Sequence, residues 1–226
     1  MKDQITYDST YRGYPINTNN GKNGCSTKIL DKYFDGLEHM LEKHNKVLQT
    51  RADLRYPDDG SINYEPEHMD KFMHYLKRDI KTNSYLPPEG KERSTKKREY
   101  NRDTDPHIIK VTEQHGNSDN PHAHITILTN GDVKHKHHDI QLRAQRQWCN
   151  ALGIPQEQGK GLVDFCNKNG PAGYMIHRQA TPEDQKNDPT TQAATFQGSY
   201  SAKTRGKEDK PKGKQLVTAT RLPKEK

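Results

Sequence analysis

Two β-prone runs, His107 to Gln114 (HIIKVTEQ) and His122 to Thr129 (HAHITILT), flank the turn-forming stretch His115-Gly116-Asn117-Ser118-Asp119-Asn120-Pro121. Runs of this kind joined by a cluster of Gly, Asn, Asp and Pro fold as an antiparallel hairpin with a longish loop. Side chains two apart on a strand share a face. Ile125 and Ile127 therefore anchor the second strand to a core, while His122 and His124 project together from its other side. Asn130-Gly131-Asp132 ends that strand.

The remaining patterning surrounds this hairpin with helices. A helix capped near Ser26 or Thr27 carries Leu30, Tyr33, Phe34, Leu37, Met40, Leu41 and His44 at three-to-four spacing and ends near Asn45. Val47 to Tyr56 reads as a strand stopped by the turn cluster Pro57 to Gly60. Pro66 opens a second helix, with Met69, Phe72, Met73, Leu76 and Ile80 on one face, which ends before Pro87-Pro88. A third helix is predicted over His138 to Leu152, stopping at Gly153. Leu162 to Cys166 suits a short strand, and Pro171 is expected to open a fourth helix running to about Gln179. Strands and helices in this order predict an α+β fold with a central antiparallel sheet and helices packed on it.

Composition bounds the domain inside the chain. Only 28% of the 226 residues are hydrophobic, too few for the whole length to be packed core. The polar stretch 1–26 is expected to be an irregular lead-in, 27–180 the folded domain and 181–226 a flexible basic tail. The net charge of +7 divides unevenly. Residues 203–226 hold nine Lys/Arg against three Asp/Glu, a net of +6, which leaves 28 against 27 for the rest. The segment Lys91 to Arg102 reads as an exposed basic loop, with Lys96, Lys97, Arg98 and Arg102 as candidate DNA contacts. No run is long and apolar enough to span a bilayer, no secretory leader is evident, and the three scattered cysteines read as free thiols in a reducing cytosol. A soluble protein of the host cytoplasm is expected.

The chemistry concentrates on the hairpin. Two imidazoles on one strand face can hold a divalent ion, and Glu113 on the preceding strand supplies a carboxylate if it lies opposite His122 or His124. That set is a two-histidine, one-carboxylate site with positions left for water or phosphate oxygens. A nucleophile candidate follows in Gly173-Tyr174-Met175-Ile176-His177-Arg178. On a helix begun at Pro171, His177 and Arg178 fall one turn after Tyr174 on nearly the same face. A tyrosine hydroxyl, with an ordinary pKa near about 10, needs such a cation beside it to attack a phosphate.

These residues bring the chain close to a known group. His-hydrophobic-His on a strand, an acid on the preceding strand and a later tyrosine resemble the HUH endonuclease superfamily. Arg51-Ala52-Asp53-Leu54, Glu113-Gln114, His122-Ala123-His124, Trp148 with Leu152-Gly153, Gly161-Leu162-Val163 and Gly173-Tyr174 are similar to stretches of the filamentous-phage (inovirus) type of replication initiator and its prophage relatives. The resemblance covers about residues 27–180. It implies a rolling-circle initiator that nicks single-stranded or hairpin origin DNA with Mn²⁺ or Mg²⁺, leaving a 5′-phosphotyrosine and a free 3′-OH. It also implies His122, His124 and Glu113 as metal ligands, Tyr174 as nucleophile and Arg51 among the DNA contacts. The group carries a lysine as Tyr-x-x-Lys where this sequence has His177, so either His177 or Arg178 takes the cation's part. A single tyrosine implies that a second subunit, or reuse of the same residue, closes the circle, in a monomer or a dimer.

Exchange of one phosphoester for another needs no nucleotide. Consistently, no Gly-Lys pair is followed by Ser or Thr, so a P-loop is missing and unwinding would fall to a host helicase, with a host polymerase extending the 3′ end. Other readings fit less of the pattern. A phosphoesterase with two His-x-Thr motifs lacks its second motif, and a histidine-triad hydrolase lacks its third histidine at Thr126. A non-catalytic DNA-binding replication regulator with the same fold is the stronger alternative, favoured by the missing lysine.

Overall fold

The computed structural model describes residues 4–82, 103–113, 120–134, 136–167, 170–204 and 215–223. Four two-residue strands come first: β1 (Ile5–Thr6), β2 (Thr10–Tyr11), β3 (Tyr14–Pro15) and β4 (Cys25–Ser26). Then follow α1 (Thr27–Lys43), β5 (Lys46–Leu54), α2 (Pro66–Thr82), β6 (His107–Glu113), β7 (His122–Asn130), α3 (His137–Leu152) and β8 (Val163–Asp164). The chain closes with β9 (Gly173–His177), α4 (Pro182–Asn187), α5 (Pro189–Gly198), a 3₁₀ turn at Ser199–Ala202 and β10 (Val217–Ala219). Strands and helices mix as expected, and the main sheet is antiparallel throughout.

Its strand order is β10-β6-β7-β5, and the outer edge of β5 is shared by β9 and β8. The hairpin register sets Glu113 opposite His122 and Ile108 opposite Ile127. Alternation along β5, β6 and β7 then divides the apolar side chains between two cores. Leu48, Ala52, Leu54, Ile108, Ile125 and Ile127 face α2 and α3, where they meet Phe72, Leu76, Ile140 and Trp148. Val47, Ile109, Val111 and Leu128 face the other way, against Ile29, Phe34 and Leu37 of α1. Trp148, fully buried, lies edge-on to Tyr56 and Phe72 and donates its indole N–H to the Arg55 carbonyl at 2.8 Å. That bond satisfies the one polar atom such a residue brings inside.

Helix ends follow their caps. The Ser26 hydroxyl accepts from the Ile29 N–H to begin α1, and Gly153 closes α3 in the left-handed conformation at φ 72°. The α2–α3 layer is bolted by a buried ionic cluster. Asp79 accepts from Arg143 at 2.7 Å, from Arg146 at 2.6 Å and from Gln147 at 2.8 Å, and Arg143 also reaches Asp139. None of the three cysteines is in a disulfide. Among the described residues, no helix is long and apolar enough to cross a membrane.

Three expectations are corrected. Residues 171–179 form no helix; Gly173–His177 is strand β9, paired along Lys46–Thr50 of β5. Its alternation places Ile176 in one core and Met175 against the other, a period of two that a helix does not share. Gly173 allows the close approach, since a Cβ there would lie 2.9 Å from the Gln49 carbonyl oxygen and 2.6 Å from Cβ of His137.

The segment from residue 181 is not a flexible tail throughout. Thr181 and Asp188 cap α4 and α5 with their side-chain oxygens, each followed by a proline in the first turn, and β10 adds an edge strand to the sheet. Nor is the stretch 1–26 an irregular lead-in: β1 pairs with β4 and β2 with β3, and Tyr14, Ile16 and Cys25 are buried in the core beneath α1.

Candidate metal centre and its tyrosine

The odd-numbered positions of β5 and β6 and the even-numbered ones of β7 share the α1 face of the sheet. Past the end of α1 this face turns polar, where Glu113, His122 and His124 meet. Both imidazoles converge on one carboxylate oxygen. Nε2 of His122 is 3.2 Å and Nε2 of His124 is 3.1 Å from Oε2 of Glu113. The ligand atoms of all three residues lie within 4.8 Å of one another. Ligands about 2.1 Å from a common ion and at right angles to each other stand about 3 Å apart, so the set fits a divalent cation. Glu113 and His124 are buried and His122 is partly open, which leaves one side for incoming oxygens.

Asp53 backs this site. It pairs with His124 across β5 and β7, and its Oδ1 lies 2.6 Å from Nδ1 of His124. With the Nδ1–H donated to Asp53, Nε2 keeps its lone pair toward the triad. Burial alone would raise the Asp53 carboxyl, but the bond and charge of His124 and of Arg51 hold it down at about 2. Burial works against charge on His124 as well, yet the two carboxylates raise its pKa above the ordinary value. Asp53→Asn is expected to weaken Mn²⁺ binding about 10- to 100-fold by isothermal titration, as loss of such an orienting partner does elsewhere. An unchanged affinity would remove Asp53 from the site.

The other residues singled out in the sequence fall elsewhere. Tyr174 does lie on the α1 face, but opposite Gln49, whereas His124 lies opposite Asp53. Four residues along β5 separate these positions by about 13 Å. The Tyr174 hydroxyl is beside Gly170, and burial pushes its pKa up. His177 alternates onto the opposite face from Tyr174. Arg178 is tied to the end of α1 through the Glu42 carbonyl at 3.1 Å and the Asn45 side chain. Arg51 is not an open DNA contact: it is 6% exposed, bonded to both oxygens of Asp53 at 3.1 Å. Lys96, Lys97, Arg98 and Arg102 lie outside the described residues.

A residue not anticipated stands in Tyr174's expected place. Tyr200, in the 3₁₀ turn after α5, sets its ring edge-on to His124 with centroids 5.7 Å apart and an interplanar angle of 88°. The Arg51 guanidinium lies 4.2 Å from the centre of that ring and Nζ of Lys203 lies 4.4 Å from it. Both are cation–π distances. Tyr200 is 39% exposed. Tyr200-Ser201-Ala202-Lys203 has the Tyr-x-x-Lys spacing, and that spacing was the available sequence signal.

Buried polar packing fixes the tyrosine's support. Fully buried Gln49 accepts from the Tyr33 hydroxyl at 2.7 Å and donates to the Ala194 carbonyl at 2.8 Å, so β5 holds both α1 and α5. Gly198 lies so close over Tyr33 that a Cβ would come within 2.4 Å of its ring.

A sequence model of the YagK/YfjJ C-terminal domain matches residues 6–214. The chain belongs to that family. The match runs from the second residue of β1 past the 3₁₀ turn, so both the candidate metal triad and Tyr200 lie inside the YagK/YfjJ C-terminal domain. No curated protein and no solved structure matches the chain.

Proposed function

We propose that this YagK/YfjJ domain is a metal-dependent endonuclease and strand transferase of the HUH type. In this reading it nicks single-stranded origin DNA to start rolling-circle replication, with Tyr200 rather than Tyr174 as the nucleophile. The observation that carries the reading is the approach of Tyr200, with a cation on its ring three residues later, to the histidine face of a two-histidine, one-carboxylate cluster.

Glu113, His122 and His124 are the residues that would hold the ion. When bound, a divalent ion supplies Lewis-acid polarisation of the scissile phosphate. Its mixed nitrogen and oxygen donors suit Mn²⁺ better than Mg²⁺, which prefers oxygen alone. Asp53, itself paired with buried Arg51, keeps the His124 tautomer, and Lys203 sets positive charge beside the phosphate that the hydroxyl attacks. The Tyr200 oxygen forms a bond to phosphorus as the bond to the 3′ oxygen breaks. The departing oxygen takes up a proton and the tyrosine's proton passes to solvent. One ester replaces another, and the energy of the broken bond is kept in the phosphotyrosine. A host polymerase extends the freed 3′-OH, and strand separation falls to a host helicase. The feature that favoured a non-catalytic regulator, the lysine missing after Tyr174, does not apply to Tyr200, which Lys203 follows at that spacing.

The test is incubation with a labelled pool of single-stranded DNA of randomised sequence and Mn²⁺. A band that survives denaturing electrophoresis, disappears with EDTA and yields strands sharing one junction sequence is the expected result. A chain that forms no adduct with Mn²⁺, Mg²⁺ or Zn²⁺ overturns the reading.

A further inference from the structure

The exposed aromatic surface of this chain is uneven. Among the described residues five large hydrophobic side chains are exposed, and two of them, Phe196 at 47% and Tyr200 at 39%, stand one turn apart, Tyr200 with its ring against His124. The backbone between them is continuously helical, with Gly198 at φ −62°, ψ −37° and Ser199 at φ −70°, ψ −11°. Residues four apart on such a backbone are neighbours on one side. The packing of α5 does not use Phe196. Thr191, Ala194, Thr195 and Gly198 make up its buried side, and Gln197 reaches across to the Pro171 carbonyl. Phe196 thus adds an apolar ring to the solvent side of a helix otherwise built from small and polar residues.

We propose that Phe196 and Tyr200 together form a stacking platform for an unpaired nucleobase next to the reacting phosphate. The platform makes the site take single-stranded nucleic acid in preference to duplex. This inference rests on the nucleic-acid reading of the site given above. Every base offers a flat π face, so an exposed aromatic ring binds single strands with little regard to sequence. In a duplex those faces are covered by neighbouring bases. The charge beside the platform suits this occupant: Nζ of Lys203 lies 4.4 Å from the centre of the Tyr200 ring, where a phosphate next to a stacked base would lie.

The measurement compares two strands of equal length by fluorescence anisotropy in EDTA, one of oligothymidylate and one an abasic phosphodiester chain. The wild-type chain is expected to bind the base-bearing strand more tightly. Phe196→Ala is expected to weaken that binding about 5- to 150-fold while leaving the abasic strand within about twofold, and Phe196→Tyr to restore it. Equal loss on both strands, or no loss on either, overturns the stacking role, as does a wild type that binds neither. Adduct formation is read separately. A wild type whose base-dependent binding needs Phe196 but which forms no adduct keeps the platform and loses the nicking reading. A chain that forms the adduct yet binds both strands alike loses the platform alone.

Discussion

Tyr200→Phe is expected to abolish the covalent protein–DNA adduct and to lower strand cleavage on the order of 10⁴-fold or more, while Tyr174→Phe keeps both. The contrast follows from register. Tyr174 is fixed opposite Gln49 on the outer strand, four residues along β5 from the Asp53 that backs His124, and burial raises the pKa of its hydroxyl. Tyr200 has its ring against His124 and between Arg51 and Lys203. Removing its hydroxyl leaves the ring, so Tyr200→Phe retains stacking and strand binding, and the loss is confined to chemistry. Denaturing electrophoresis of the two variants with the same Mn²⁺-containing DNA pool reads the difference. Adduct from Tyr200→Phe, or its loss in Tyr174→Phe, would reassign the nucleophile.

The largest expected loss of stability lies on the other face of the sheet, at Asp79. Arg143 is fully buried and its charge is balanced by Asp79 and by Asp139, which is itself shared with Lys134. Asp79→Ala leaves that guanidinium in the interior with half its compensation, at a cost of about 3–5 kcal/mol. For a chain of this size that corresponds to a fall in Tm of roughly 6–20 °C. Arg146→Ala removes a cation that is one-third exposed, and it should cost about 1 kcal/mol or less because water solvates that end of the cluster. Urea unfolding of the two variants checks the pair. A cost for Asp79→Ala no greater than for Arg146→Ala would mean that Arg143 gains water or another partner when the carboxylate is lost.

What the sequence disclosed and what it hid have different physical origins. The hairpin and its candidate metal face were legible because His122-Ala123-His124-Ile125-Thr126-Ile127 alternates polar and apolar along the strand. The first three helices were legible from Leu, Ile, Phe and Met at helical spacing. α5, the helix that leads into the turn bearing Tyr200, gave no such stripe. Its buried side is Thr191, Ala194, Thr195 and Gly198, fastened by hydrogen bonds to Gln49 and by close packing on Tyr33, so its composition reads as a polar tail. The caps Thr181-Pro182 and Asp188-Pro189 were the local signals of order in that stretch. Pro171 misled in the opposite sense. A proline suited to a first helical turn precedes a glycine that β5 requires for close pairing, and the sheet edge prevailed over the local preference.

The turn that bears Tyr200 is held from the far end of the chain. The Asn17 N–H donates to the Ser199 hydroxyl at 2.9 Å across 182 positions, and the Thr204 N–H donates to the Gly24 carbonyl at 2.9 Å. A backbone bridge joins Cys25 to Lys203. Contacts of such long sequence separation form only after the loop they close has been drawn together. During synthesis the three candidate metal ligands, all encoded before residue 125, can assemble on their hairpin while the ribosome is still making α5. Tyr200 reaches them only once residues 17–25 have been joined by residues 199–204. If the proposed function holds, a growing chain acquires its candidate ion-binding face before its capacity to cut.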